Sequence, residues 1–259
     1  MKLFRAWCTL VFLSFRRLLW SSNTVMVMFP LLAAGLVLFR LRGWMLRRAA
    51  EDFTLAFERF SENFVLAAFA SFLLPICALA YGTTSIGGDR EDRTLLFILI
   101  RPVPRLLILL AKWTATLPLV LGIVVGSFYV YCRLAGPVGA QAFATYLPAV
   151  FYMSIAYVGL FHLFAVTFRH STIIALIYTF FMELLIGNMP GIIKQVAVSY
   201  YGKSMIFGLG LDYGVPPPDV RWFQPVTIST GALSLVTIGL GGLLLALAVF
   251  QLREYRDLT

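Results

Sequence analysis

Two ionisable side chains lie inside otherwise apolar runs of this sequence, His162 and Glu183. A carboxylate or imidazole is costly to hold away from water, so such groups mark substrate paths or proton relays. Paired, they would form a proton-transfer dyad. In a helical hairpin, however, they fall at different depths. His162 is about six residues from the shared end, roughly 9 Å, and Glu183 about twelve, roughly 18 Å. A direct pair is not expected. The structural alternatives are an interfacial Glu183 held by a loop Lys or Arg, and a His162 hydrogen-bonded between packed helices. Motifs for other chemistry are missing: the sequence has no HExxH, no GxSxG and no GxxxxGK[ST]. Cys8, Cys77 and Cys132 are far apart, without the CxxC spacing of a metal site or a disulfide framework.

The elements that would carry these groups follow from composition. Of 259 residues, 60% are apolar and 13% charged, and the mean hydropathy is +0.88. Soluble domains average roughly 45–50% apolar and about 25% charged, so the chain is built for a lipid solvent. A net charge of +9 would suggest nucleic acid in a soluble protein. Here the cations cluster at the ends of apolar runs, which points to anionic membrane surfaces and to no nucleic acid.

Crossing roughly 30 Å of hydrocarbon takes about 20 apolar residues. Six runs qualify: 22–39, 64–86, 106–131, 142–168, 171–187 and 226–250. They are continuous rather than alternating, which favours helices over barrel strands. The expected fold is a single all-α transmembrane domain over 1–259. Residues 1–20 are apolar yet contain Lys2, Arg5, Arg16 and Arg17. On a helical wheel Lys2, Arg5, Thr9 and Arg16 share one narrow stripe, the mark of a helix lying in the interface. A cytoplasmic N-terminus puts twelve of the 21 Lys and Arg inside and nine outside, in longer segments. This favours cytoplasmic N- and C-termini, in a cytoplasmic (inner) membrane. The segment 188–225 reads as a short external helix with Ile192, Ile193, Val196, Ala197 and Tyr200 on one apolar stripe. An irregular loop through Gly202, Gly208, Gly210 and Gly214 follows. The segment 40–63 reads as a surface helix. Gly122 and Gly126 form a GxxxG pair, and Gly239, Gly241 and Gly242 a second small-residue set, both expected to serve internal helix packing.

The segment 86–112 is the most informative. Gly87-Gly88 reads as a helix stop, 89–93 as too charged for lipid, and 94–100 as two apolar turns closed by Arg101-Pro102 and Pro104-Arg105. So short an apolar helix, bracketed by charge, must lie on the membrane or dock into a partner. With Asp89, Thr94, Leu95, Pro102, Arg105 and Lys112 at their spacing, this stretch resembles the ABC-2 type permeases of ATP-binding-cassette transporters. There an acidic residue precedes Thr-Leu, a short apolar run, Pro, Arg and a Lys opening the third helix. Asp89 stands where Glu is usual, and Arg93 where Gly is frequent. The N-terminal interfacial helix, six spans and the insertion before the last span resemble the same family.

The resemblance implies a permease subunit, acting as an exporter by alternating access. It would pair with a second permease chain and with a separate P-loop ATPase. That partner would bind ATP and Mg, leaving this chain without a cofactor or a metal. The segment 87–105 would be the coupling helix, with Asp89, Glu91, Arg93, Thr94, Leu95, Pro102, Arg105 and Lys112 as docking or coupling residues. Glu183 and His162 are the candidates for a substrate pathway. Two other readings remain: an anchor or assembly subunit without transport, and an intramembrane enzyme using Glu183 or His162.

Overall fold

The computed structural model describes residues 2–92, 94, 95, 97, 100, 103–189, 193–217 and 223–253. Among them the chain is almost wholly helical, with no strand. Helix α1, Lys2–Leu19, meets α2, Ser22–Glu51, in a tight turn. The hydroxyls of Ser21 and Thr24 both donate to the Leu18 carbonyl there, at 2.8 and 2.9 Å. Arg5, Thr9 and Arg16 are exposed, as the basic stripe predicts.

Thirty residues give α2 a length of about 45 Å, well beyond the 22–39 run. The arginines after Phe39 are good helix formers and simply extend it. Asp52 then breaks the helix and caps α3, Phe53–Phe60, by accepting from the Leu55 N–H at 3.1 Å. The expected surface helix over 40–63 is therefore two helices folded about Asp52. From α3 the chain stays helical to Glu91. Its middle, Ser61–Leu73, is wound in wide i→i+5 turns before α4, Leu74–Glu91. Pro75 is the physical reason. It lacks an N–H and crowds the preceding carbonyls; the Leu74 N–H bonds back to Phe69 and the Ser71 hydroxyl to Leu66, each five residues away.

After the proposed docking segment come α5, Arg105–Ala135, and α6, Pro137–Thr167. They join at Gly136, whose φ of 77° suits glycine. The α7 helix, Ser171–Tyr178, passes into wide turns over Thr179–Leu185 and short 3₁₀ turns at Ile186–Asn188 and Ile193–Val196. Then come α8, Val198–Gly210, and α9, Ile228–Leu252.

Among the described residues, five helical stretches are long and apolar enough to cross a membrane: Ser22–Glu51, Phe53–Glu91, Arg105–Ala135, Pro137–Thr167 and Ile228–Leu252. The expected span 171–187 differs. Its apolar helix is the shorter Ser171–Glu183, about 20 Å.

α6 is the hub, packing on α4, α5, α8 and α9. Its bond with α9 is a direct backbone approach: a Cβ on Gly159 would lie 2.0 Å from the Gly239 carbonyl oxygen. Gly239 and Gly242 of α9 thus serve internal packing, whereas nothing lies within 4 Å of a Cβ at Gly241. The GxxxG pair of α5 does not serve packing, since nothing lies within 4 Å of a Cβ at Gly122 or Gly126. The 188–225 segment is also rearranged. Gly202, Gly208 and Gly210 lie within α8, not in a loop. Glycine is needed at 202 because a Cβ would meet Met153 Sδ at 2.2 Å. Ile193 and Val196 face outward while Lys194 is buried, its ammonium 4.8 Å above the Phe223 ring. The apolar stripe is broken because Ala197 is extended and resets the helical phase.

Gly159→Ala is expected to lower stability by about 1–3 kcal/mol through overpacking, read as a fall in melting temperature in detergent. Gly122→Ala, with open space around it, is expected to leave the melting temperature unchanged or slightly raised.

Candidate functional site

The charges of the 86–112 stretch converge where α1, α4 and α5 meet. Gly87-Gly88 does not stop α4, which runs on to Glu91. A Cβ at Gly87 would be 2.4 Å from Ser171 Oγ, so this glycine lets the start of α7 press against α4. The extra turn carries Asp89 into the bundle, where it is 1% exposed. Lys112 of α5 and Arg17 of α1 each form an ion pair with it. The Lys112 ammonium also donates to the Ser85 carbonyl at 2.6 Å, and Arg17 reaches Asp92 at 2.6 Å. The Thr94 hydroxyl donates to Asp89 Oδ1 at 3.4 Å. Asp89 and Lys112 are thus buried in protein as a pair, with the half-exposed Arg17 bridging Asp89 to the exposed Asp92.

A second set of cations closes the neighbouring helix end. The last carbonyls of α6 have no partner within their own helix. Arg90 donates to the Phe168 carbonyl at 2.9 Å, and Arg253, just past α9, donates to those of Val166 and Thr167. Arg105 in turn donates to the Arg253 carbonyl at 3.1 Å. Cations at a helix C-terminus also meet the favourable end of its dipole. Leu95 is buried among Ile86, Ile108, Leu109 and Val166. Glu91 and Arg105 are exposed. Arg93 and Pro102 lie outside the described residues.

His162 and Glu183 do not meet. His162 is fully buried, with Nε2 3.1 Å from Ser85 Oγ and Nδ1 2.9 Å from the Val158 carbonyl. Ser85 links it to Lys112 through that residue's bond to the Ser85 carbonyl. Glu183 lies in the wide turns after α7. Its carboxylate accepts from the N–H groups of Val198 and Ser199 at 3.1 and 2.8 Å, and from the Tyr178 hydroxyl at 3.0 Å. Those N–H groups open α8, so Glu183 supplies its N-terminal cap from another segment. α8 starts at this level and rises along α6, with Gly202 against Met153 and Gly210 against Tyr146. No group of three or more His, Cys, Asp or Glu among the described residues could hold a metal ion.

A protein-family model described as ABC-2 family transporter protein matches residues 25–237. The chain belongs to the ABC-2 transporter family. No curated protein matches the sequence. The chain is therefore a multi-pass membrane protein and the membrane subunit of a transporter rather than an enzyme. In this ABC-2 permease the expected docking residues divide into two groups. Asp89, Lys112 and Leu95 are buried and can act on a partner only by positioning. Glu91 and Arg105 are on the surface.

Arg17, Asp92, Arg90 and Arg253 complete the permease's site and were not singled out by sequence. Arg17 carried one available signal, a cation where an interfacial helix meets the first span. Arg90 and Arg253 carried none, because their acceptors are backbone carbonyls far along the chain.

Asp89→Ala leaves Lys112 buried without its carboxylate partner and is expected to cost about 3–5 kcal/mol. Lys112→Met in the same chain should restore most of it, with detergent melting curves giving the cycle. Glu183→Ala strips the acceptor from two buried N–H groups. It should cost about 1–3 kcal/mol and speed hydrogen exchange at Val198 and Ser199 while leaving that of α6 unchanged.

Proposed function

We propose that this chain is the membrane half of an exporter in the cytoplasmic membrane, with both termini cytoplasmic, working by alternating access beside a second permease chain. A separate P-loop ATPase, holding ATP and Mg, docks on the 89–105 segment through Glu91, Arg93, Thr94, Pro102 and Arg105. Asp89 and Lys112 fix the root of that segment. The observation that carries the reading is the Asp89 ion-pair cluster. It joins α1, α4 and α5 at one point, so a push on the segment between α4 and α5 moves three helices together. A two-state bundle biased at such a point responds to the partner's differential affinity for its two states.

In this reading α1 lies in the interface as an elbow, and α7 with α8 forms a broken sixth crossing. Each half spans part of the bilayer, and the break is lined by protein, as discontinuous membrane helices require. Glu183 sits at that break, which keeps it the candidate pathway residue; His162, enclosed by Ser85 and Val158, is the weaker of the two.

Arg105→Glu and Glu91→Lys, each reversing a surface charge, should reduce ATPase recovered with the tagged chain roughly tenfold while membrane insertion is unchanged. Recovery at the level of the unaltered chain would exclude this docking surface. An anchor subunit without transport would bind the ATPase equally well, but no added substrate would then stimulate hydrolysis in the reconstituted complex.

A further inference from the structure

At the end of the bundle away from α1, the second half of α2 and the α3 arm diverge around a cleft of about 590 Å³. This is within the size range of small-molecule sites, roughly 300–1,000 Å³. We propose that this cleft holds one zwitterionic glycerophospholipid, with an acyl chain along α2 and the phosphate and ammonium at the mouth. The proposal does not rest on the transport reading.

The lining divides by polarity and burial. Leu38 and Val138 are buried and Phe64 and Ala68 half-buried, forming an apolar floor. Arg48, Glu51, Arg59 and Glu62 are exposed and form the mouth. From Val37 to Glu51 the α2 wall rises by fourteen residue steps, about 21 Å, the scale of an extended acyl chain. Phe60 and Phe64 stack at 5.3 Å and stiffen the opposite wall. Trp44, half exposed beside the cleft, has the Arg48 guanidinium 5.4 Å over its ring, marking the headgroup level.

The mouth charges select the headgroup. Asp52 is engaged with the Leu55 N–H. Glu51, Arg59 and Glu62 form no ion pair among the described residues. Two guanidiniums suit a phosphate and two carboxylates suit an ammonium, whereas a purely anionic headgroup would face Glu51 and Glu62 unpaired. A second copy is the poorer occupant. A two-fold contact over this face brings the Arg40, Arg42 and Arg47 cluster towards the same cluster of the second chain.

The test uses the full chain in nanodiscs of phosphatidylglycerol containing a trace of phosphatidylethanolamine with a photoreactive acyl chain. Labelling should map to peptides covering 37–68. It should fall roughly tenfold when unlabelled phosphatidylethanolamine is added, but not with further phosphatidylglycerol. Arg48→Glu with Arg59→Glu should abolish that preference, and Leu41→Trp, which fills the cleft from an exposed position, should abolish labelling. Label spread evenly over α2, or equal competition by both lipids, overturns the proposal. So does efficient cross-linking of two copies through Leu41→Cys, which makes the cleft an interface between chains. The competition with the unaltered protein decides the matter even where a variant fails to fold.

Discussion

A carboxylate cannot stay ionised alone in a low-dielectric interior. Its desolvation costs several kcal/mol, recovered only by close, hydrogen-bonded counter-charges. Asp89 imposes that condition on this bundle. Because it is buried, Lys112 of α5 must come to it, and Arg17 of α1 with it. The ends of three helices are thereby fixed to one another, and the segment between α4 and α5 leaves from a rigid base. Arg90, Arg253 and Arg105 extend the arrangement to α6 and α9 by satisfying carbonyls that a helix end cannot satisfy itself. One end of the permease is thus held by ion pairs and backbone caps together.

The middle of the bundle is held differently. Helices in lipid gain no hydrophobic driving force from each other, so close backbone packing has to supply it. α6 and α9 meet at Gly159 and Gly239 with no side chain between them. Where the chain departs from regular helix, there is a physical cause at hand. The wide turns of Ser61–Leu73 precede Pro75. Those of Thr179–Leu185 present Glu183 to the start of α8. At that break Glu183 answers the same demand as Asp89, with N–H donors and a tyrosine hydroxyl as its hydrogen-bond partners and the buried Lys203 ammonium close enough to interact with its charge. The two buried carboxylates therefore differ in their direct partners. Asp89 joins helices by charge, and Glu183 restores the hydrogen bonds lost where a helix is interrupted.

Among the described residues, the end where α2 and α3 part shows no comparable ion-pair staple. Tyr146 bonds Ser61 there at 2.9 Å, and Tyr131 holds the Leu31 carbonyl at 2.7 Å. One face of α2 continues to pack there through Leu38, Met45 and Ala49, while large side chains on its other face, such as Leu36, Phe39 and Trp44, are exposed. A polar-mouthed cleft forms where α2 and α3 part. The two ends of the membrane subunit are thus held by different interactions, ion pairs at one and tyrosine hydrogen bonds at the other.

The amino-acid sequence by itself determined the solvent, the helical class, most of the long apolar helices, the family and the stretch that carries the charged site. These depend on local composition: a run of twenty apolar residues favours hydrocarbon wherever it lies, and the spacing of Asp89, Thr94, Arg105 and Lys112 is contiguous text. What only the tertiary structure decided concerns partners. Glycine means close packing when a backbone lies opposite, as at Gly159, and nothing when space does, as at Gly122. Gly87-Gly88 reads as a stop until α7 is seen against it. Lys194 is a surface cation by type and a buried one over Phe223 by placement. Asp89 is one charge of a charged stretch by sequence and the buried partner of Lys112 and Arg17 by placement. In each case the residue's role is fixed by the energy of what faces it, and the facing group lies too far along the chain for any local pattern to contain it.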